Sequence, residues 1–175
     1  MRVGIIGYGV VGKTRHHSIL KNTSFRVTSI SENNSQARDE IPDNMEVFED
    51  YKALIEHANI DIVFISLPNK FAANATKLSL EKGLHVFCEK PPAKTLAELE
   101  EVFLVSQTYP NLKLMYGFNH RFHHSVEQAK LIIQDNSLGR LINMRGVYGK
   151  SQMISFNQSD WRTKRQESGG GILLD

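Results

Sequence analysis

Apolar residues fall along this chain in short blocks with two different spacings. Arg2 to Ile6, Phe25 to Ser31, Asp61 to Leu67, His85 to Cys88 and Leu112 to Phe118 are compact apolar runs of strand length. Asp61 to Leu67 is nearly all apolar and β-branched, which suits a parallel strand covered on both faces. Between these runs the pattern is helical. Val10 to Leu20 reads as one helix, Tyr51 to His57 as a short one, and Asn69 to Lys82 as a third, with Ala72, Ala75 and Leu78 on one stripe and Gly83 as its stop. Thr95 is an N-cap with Glu98 three positions on, a capping box for a helix through Thr108 that Pro110 ends. Leu96, Leu99, Val102 and Phe103 form its expected buried side. Asn33-Asn34-Ser35 marks a turn. Strict alternation of strand and helix predicts an α/β domain, a doubly wound parallel sheet with right-handed crossovers.

After about residue 118 the rhythm changes. Val126 to Gln134 reads as a helix, Leu138-Gly139-Arg140 as a turn, Leu141 to Tyr148 as a longer strand, and Ser151 to Gly171 as polar and irregular. The pattern divides the chain into residues 1–122 and the beginning of a second domain, 123–175.

Composition narrows the function classes. The 21 basic and 19 acidic residues are interspersed, with a net charge of +2 and no basic stripe, so no nucleic-acid partner is expected. No apolar run approaches the roughly 18–20 residues of a membrane span. The start runs from Met1 straight into a strand, so no signal peptide is expected, and one cysteine, Cys88, allows no intrachain disulfide. Both features suit a cytoplasmic setting.

The first strand-to-helix turn carries chemistry. Gly7-Tyr8-Gly9-Val10-Val11-Gly12 fits G-x-G-x-x-G. The first glycine permits the tight turn, the second lets backbone approach a pyrophosphate, and the third lets helix and strand pack closely. Unpaired N–H groups at the helix start favour the phosphates. The loop sits in a βαβ unit, and Glu32 follows the second strand about 20 positions later, which is where a carboxylate accepts from both hydroxyls of an adenosine ribose. The expected cofactor is therefore NAD, since Glu32 would repel the 2′-phosphate of NADP. Arg38 keeps NADP open, should Glu32 turn away. The blander alternative is a glycine turn beside a solvated Glu32. Tyr8 is expected to pack beside the ribose.

Ligands of such sheets bind beyond the carboxyl ends of the strands. Leu67-Pro68-Asn69 closes the third predicted strand and should lie beside the cofactor. Cys88-Glu89-Lys90-Pro91-Pro92 closes the fourth, directing Lys90 towards the nicotinamide end; the Lys90–Pro91 bond is a candidate for cis. A lysine in a partly dry site can move protons. Position alone leaves open a surface lysine ahead of a loop.

These motifs, with Gly117-Phe118-Asn119-His120-Arg121-Phe122, Trp161-Arg162 and Gly169-Gly170-Gly171-Ile172-Leu173-Leu174-Asp175, fall in the order that resembles the glucose–fructose oxidoreductase / inositol dehydrogenase / rhizopine catabolism family. The resemblance covers the whole chain. It implies a Rossmann domain followed by an α/β domain with an open, mostly antiparallel sheet, and an NAD(P)-dependent dehydrogenase acting on a carbohydrate, cyclitol or nucleotide-sugar. It makes Lys90 the catalytic lysine of the Glu-Lys-Pro turn and Asp175 the first member of an Asp-x-x-x-His pair. It places Glu89, Asn119, Arg121, Trp161 and Arg162 at the cofactor. Tyr148-Gly149-Lys150 and Asp160-Trp161-Arg162 resemble members that act in polysaccharide biosynthesis, which points to a nucleotide-sugar. A homo-oligomer is implied for the full-length protein.

Two departures stand out. Ala72 occupies a position that is often histidine in the family, and the histidine that usually serves as base would lie beyond Asp175. The chain is therefore expected to be part of a longer protein. A non-catalytic cofactor-binding regulator is the competing class, and a redox-assisted eliminating hydrolase a third. His120, His123 and His124 lie close together, but no cysteine or carboxylate completes a tetrahedral set, so no metal is expected. His16 and His17 are expected on a solvated helix face, and Cys88 inside its strand.

Overall fold

The computed structural model describes residues 1–147, 161 and 164–170. These fall into two compact units: the described parts of Met1–Gly117 with Gln158–Asp175, and of Phe118–Asn157.

The first unit is the α/β domain. Its elements are β1 (Arg2–Ile6), α1 (Val10–Ile19), β2 (Arg26–Ser31), α2 (Ser35–Arg38), β3 (Glu46–Phe48), α3 (Tyr51–His57), β4 (Ile62–Ile65), α4 (Asn69–Glu81), β5 (His85–Cys88), α5 (Leu96–Thr108), β6 (Leu114–Tyr116) and α7 (Arg165–Ser168). The six strands form one parallel sheet in the order β3-β2-β1-β4-β5-β6. The chain winds outward from β1 to β3, then returns to β1's other side and winds outward again from β4. The reversal lies between β1 and β4, and the carboxyl ends of those strands form the crevice used by ligands of such sheets.

Alternate residues face opposite layers. Ile6, Val63, Ile65, Val86 and Cys88 join Leu54 and Ile55 of α3 and Ala72, Ala75 and Leu80 of α4 on one face. Val3, Ile5, Val27 and Ile30 join Tyr8 and Ile19 on the α1 face. Small residues let α4 sit close: Ala73 meets Val102 of α5, while Thr76 and Ser79 return their hydroxyls to the carbonyls of Ala72 and Ala75.

Several expectations change. β3 was not expected. It is a three-residue edge strand with Val47 46% exposed, so no apolar run announces it. On α5, Val102 is buried and Leu99 half-buried, but Leu96 and Phe103 are exposed, because one stripe along the helix meets the neighbouring layer and these two lie off it. The Thr95 hydroxyl accepts from the Glu98 N–H as expected, whereas the Glu98 carboxylate accepts from the N–H of Lys94 rather than that of Thr95. Arg165–Ser168 is helical where irregular chain was expected.

The second unit holds a 3-10 turn (Asn119–Phe122) and α6 (His124–Gln134). Residues 141–147 have no regular structure, so the expected strand from Leu141 does not form over its described length. A strand needs a partner for its N–H and C=O groups. No strand pairs with residues 141–147 here, and Ile142 and Val147 are 92% and 85% exposed.

Candidate functional site

The crevice begins where β1 hands over to α1. Gly7 turns the chain at φ +84°, and a Cβ there would lie 2.5 Å from the Ser66 carbonyl oxygen at the exit of β4. Gly12, in the first turns of α1, sits so close that a Cβ would stand 2.0 Å from the Gly7 carbonyl oxygen. Gly9 is different: a Cβ there would meet nothing within 4 Å. Two glycines are required by the fold, and the third keeps an open cradle that a side chain would fill. Gly9 is also the N-cap of α1, with no side chain bonded to the helix's first amides, and Val10 and Val11 are exposed. Free N–H groups at a helix start favour an anion.

Glu32 follows β2 and bends back to this loop. One carboxylate oxygen accepts from the Tyr8 N–H at 2.7 Å, and the other from the Asn34 N–H at 2.9 Å. About two of its four lone-pair sites stay free for hydroxyl donors. Arg38 donates to the Glu32 carbonyl at 3.2 Å and pairs with Glu49 at 3.0 Å, so the guanidinium is held beside the carboxylate's backbone.

Beneath the loop, Tyr8 is buried and its hydroxyl lies 2.6 Å from Nδ1 of His16. His16 is 4% exposed, which corrects its expected place on a solvated face. Gly12, His16 and Ile19 are the buried stripe of α1. A stripe of glycine, histidine and one isoleucine gives little apolar periodicity. The signal that could have found it is the i, i+4 step from the close-packed Gly12. Burial pulls the His16 imidazole's pKa down, with the neighbouring His17 adding to the effect, and pushes the Tyr8 hydroxyl up.

On the other side of the crevice, Leu67-Pro68 leads into α4. Asn69 is its first residue, 3% exposed, and donates from Nδ2 to the Ser168 carbonyl at 2.7 Å. Glu89 forms an ion pair with Arg15 of α1, whose guanidinium also lies over the Phe87 ring at 5.2 Å. A Cβ at Gly117 would lie 2.7 Å from the Glu89 carboxylate, so the absence of a side chain there makes room for the pair. Sequence reasoning missed Arg15, because nothing in its local pattern links it to a residue 74 positions away. Lys90 is exposed, and the Lys90–Pro91 bond is cis. Cys88 is buried in β5, and burial pushes its thiol up to about 12.

Asn119 and Arg121 lie in the 3-10 turn of the second unit. Trp161 is half-buried, and its carbonyl accepts from the Lys164 N–H. Arg162 and Asp175 lie outside the described residues, as do Tyr148-Gly149-Lys150 and Asp160.

Residues 1–118 match the family model described as the oxidoreductase family with an NAD-binding Rossmann fold, Gfo/Idh/MocA. The chain belongs to this family. Among Gfo/Idh/MocA relatives, the D-glucoside 3-dehydrogenase of Escherichia coli is 29% identical over the whole of this chain and half of its own length. The levoglucosan dehydrogenase of Pseudarthrobacter phenanthrenivorans is 31% identical, over 72% of this chain and 32% of its own. The scyllo-inositol dehydrogenase of Lactobacillus casei, solved with bound NAD(H) and scyllo-inositol, superposes with a TM-score of 0.73 at 30% identity, over 79% of this chain and 42% of that one. The chain thus spans half or less of the length of these relatives. The glycine cradle, the bare start of α1 and Glu32 are the parts of this Gfo/Idh/MocA domain that suit a dinucleotide.

Proposed function

We propose that this chain is the cofactor-binding part of an NAD-dependent dehydrogenase acting on a hydroxyl carbon of a sugar, cyclitol or nucleotide-sugar. The observation that carries the reading is the Glu32 carboxylate, fixed by the Tyr8 and Asn34 N–H groups beside the glycine loop. Held there, it accepts from ribose hydroxyls and repels a 2′-phosphate, which favours NAD over NADP. Gly9 and the amides at the start of α1 receive the pyrophosphate, and Leu67 and Pro68 line the path to the reacting end. NAD, when bound, supplies the acceptor for a hydride.

The hydroxyl proton of the substrate must also leave, and its developing negative charge needs a cation. Lys90 supplies the cation from Nζ and relays the proton. Asp175 orients the lysine or the substrate hydroxyls. The family resemblance pairs that aspartate with a histidine as the base, in a second domain with an open, mostly antiparallel sheet that begins near residue 123. Relatives named for glucoside, levoglucosan and inositol oxidation support the substrate class.

The test is a pair of titrations with NAD and NADP, followed by turnover of the full-length protein. NAD should bind more tightly. Tighter NADP binding would refute the role of Glu32. Lys90→Ala should lower turnover at least about tenfold, a floor below the roughly hundredfold or more that a lost acid–base group typically costs, with NAD binding retained. Near-normal turnover would remove Lys90 from the chemistry. NAD binding without any turnover in the full-length wild type would favour the regulatory class.

A further inference from the structure

The segment 164–170 stands far along the chain from the α/β core, yet its contacts tie together the loops after β4 and β5. Asn69, at the start of α4, donates from Nδ2 to the Ser168 carbonyl at 2.7 Å across 99 positions of sequence, with both residues about 95% buried or more. Beside it, Lys70 pairs with Glu167 at 3.2 Å. The Ser168 hydroxyl lies 3.0 Å from the Gly170 carbonyl and 3.2 Å from that of Lys164, two acceptors for its one proton within the segment. Gly169 then turns at φ +83° directly against the β5 loop. A Cβ there would lie 2.6 Å from the Lys94 carbonyl oxygen and 2.9 Å from its Cα. Lys94 ends the turn that carries Lys90. One short segment therefore holds Pro68-Asn69 on one side and the Lys90–Lys94 turn on the other.

We propose that Asn69 is a positioning residue, acting through Ser168 and Gly169 on the Lys90–Lys94 turn, and not a ligand of the cofactor. Three facts point this way. The Asn69 donor is already engaged, and the residue is 3% exposed, which leaves little of its amide for a bound molecule. Its partner is a main-chain carbonyl, a fixed acceptor whose loss would strand a buried donor. Gly169 has both a left-handed backbone and no room for a Cβ, so this close seating against Lys94 depends on glycine. The proposal rests on the dinucleotide reading only in naming what Lys90 faces; the docking itself is separate from it.

The single tryptophan, Trp161, precedes the segment by three residues and its carbonyl accepts from the Lys164 N–H, so it reports docking without a label. The experiment compares wild type, Asn69→Ala and Gly169→Ala in the same chain. Three quantities are read: Trp161 emission, hydrogen exchange at Ala93, Lys94 and 165–170, and NADH affinity with energy transfer from Trp161 to the reduced nicotinamide. Both variants should red-shift Trp161, raise exchange at 165–170 and at Ala93 and Lys94 at least tenfold, and lose energy transfer, while NADH affinity falls less than about threefold. Asn69→Gln, which keeps the amide, should recover part of the protection where Asn69→Asp does not. A tenfold or larger loss of NADH affinity in Asn69→Ala, with protection at 165–170 intact, would make Asn69 a cofactor ligand and overturn the proposal. Unchanged protection at Ala93 and Lys94 in Gly169→Ala would overturn the link to the lysine turn. If wild type binds no NADH, the dinucleotide reading fails, and the exchange data still decide the docking.

Discussion

The two sides of the crevice are held by different kinds of contact. On the β1–β2 side, the glycine loop is fixed by neighbours in sequence. Gly12 rests on Gly7, the Tyr8 hydroxyl meets His16 eight positions on, and the Tyr8 N–H meets Glu32 twenty-four positions on. On the β4–β5 side, the loops are fixed by distant residues. Glu89 pairs with Arg15 across 74 positions, and Asn69 with Ser168 across 99. The first side is a βαβ unit that carries its own geometry. The second takes its geometry from elements that must already be in place. Apart from the close approach of Gly7 to the Ser66 carbonyl oxygen, the cofactor cradle thus rests on local contacts, whereas the lysine turn rests on distant ones.

The sharpest way to break the local side is Gly12→Ala. Its Cβ would fall 2.0 Å from a backbone oxygen that has no flexible end to move. We expect a loss of stability at or above the upper end of the roughly 1–3 kcal/mol of overpacking, and loss of measurable NAD binding. Denaturant unfolding and calorimetric titration would check both. Gly9→Ala sharpens the same point, because its Cβ meets nothing. Stability should stay within about 0.5 kcal/mol, as for an unconstrained surface change, while NAD affinity falls. Equal effects from the two glycines would erase the distinction between fold and cradle.

Glu32→Ala comes next. It strands the Tyr8 and Asn34 N–H groups and removes the repulsion of a 2′-phosphate. NAD affinity should fall by about tenfold, roughly 1.4 kcal/mol, and the preference over NADP should narrow or invert. On the long-range side, Glu89→Gln leaves the Arg15 charge without its partner. Arg15 keeps 26% of its side chain in water, so the expected cost is about 1–2 kcal/mol, softened by solvent screening. Chemical denaturation would measure it, and an unchanged midpoint would show that the pair does not hold the two elements together.

The smallest effect is a pH dependence from His16. Burial lowers its folded-state pKa below the ordinary 6.5, so the unfolded chain binds the proton more readily. Stability should then be full above about pH 6.5 and decline as the pH falls below it, levelling once the folded imidazole also protonates. Thermal midpoints of wild type and His16→Phe between pH 7.5 and 5 would show it. A wild-type slope identical to that of the variant would assign the dependence to other groups.

Much of this domain was readable from local pattern. The five strands other than β3, the four longer helices of the α/β unit and the glycine turn all rest on spacings of two to a few residues, which report which side of an element faces inward. Glu32 was readable because a βαβ unit fixes where the second strand must end. Other features were not. β3 is too short and too exposed to leave an apolar run. The α1 stripe is built on Gly12 and His16, so its buried side looks polar. Leu141 to Val147 has the composition of a strand but no partner strand among the described residues.

The sequence by itself determined the alternation of strand and helix, the glycine loop and the carboxylate that follows the second strand. Those features depend on backbone geometry and side-chain periodicity within about thirty residues. Only the tertiary structure decided that His16 lies under the loop, that Arg15 holds Glu89, and that residues 167–170 lie against Asn69 and Lys94. The last two join groups whose separation along the chain carries no periodic signal, and His16 is announced only by its i, i+4 step from Gly12. Their meeting is set by how packed layers bring distant loops to the same end of the sheet.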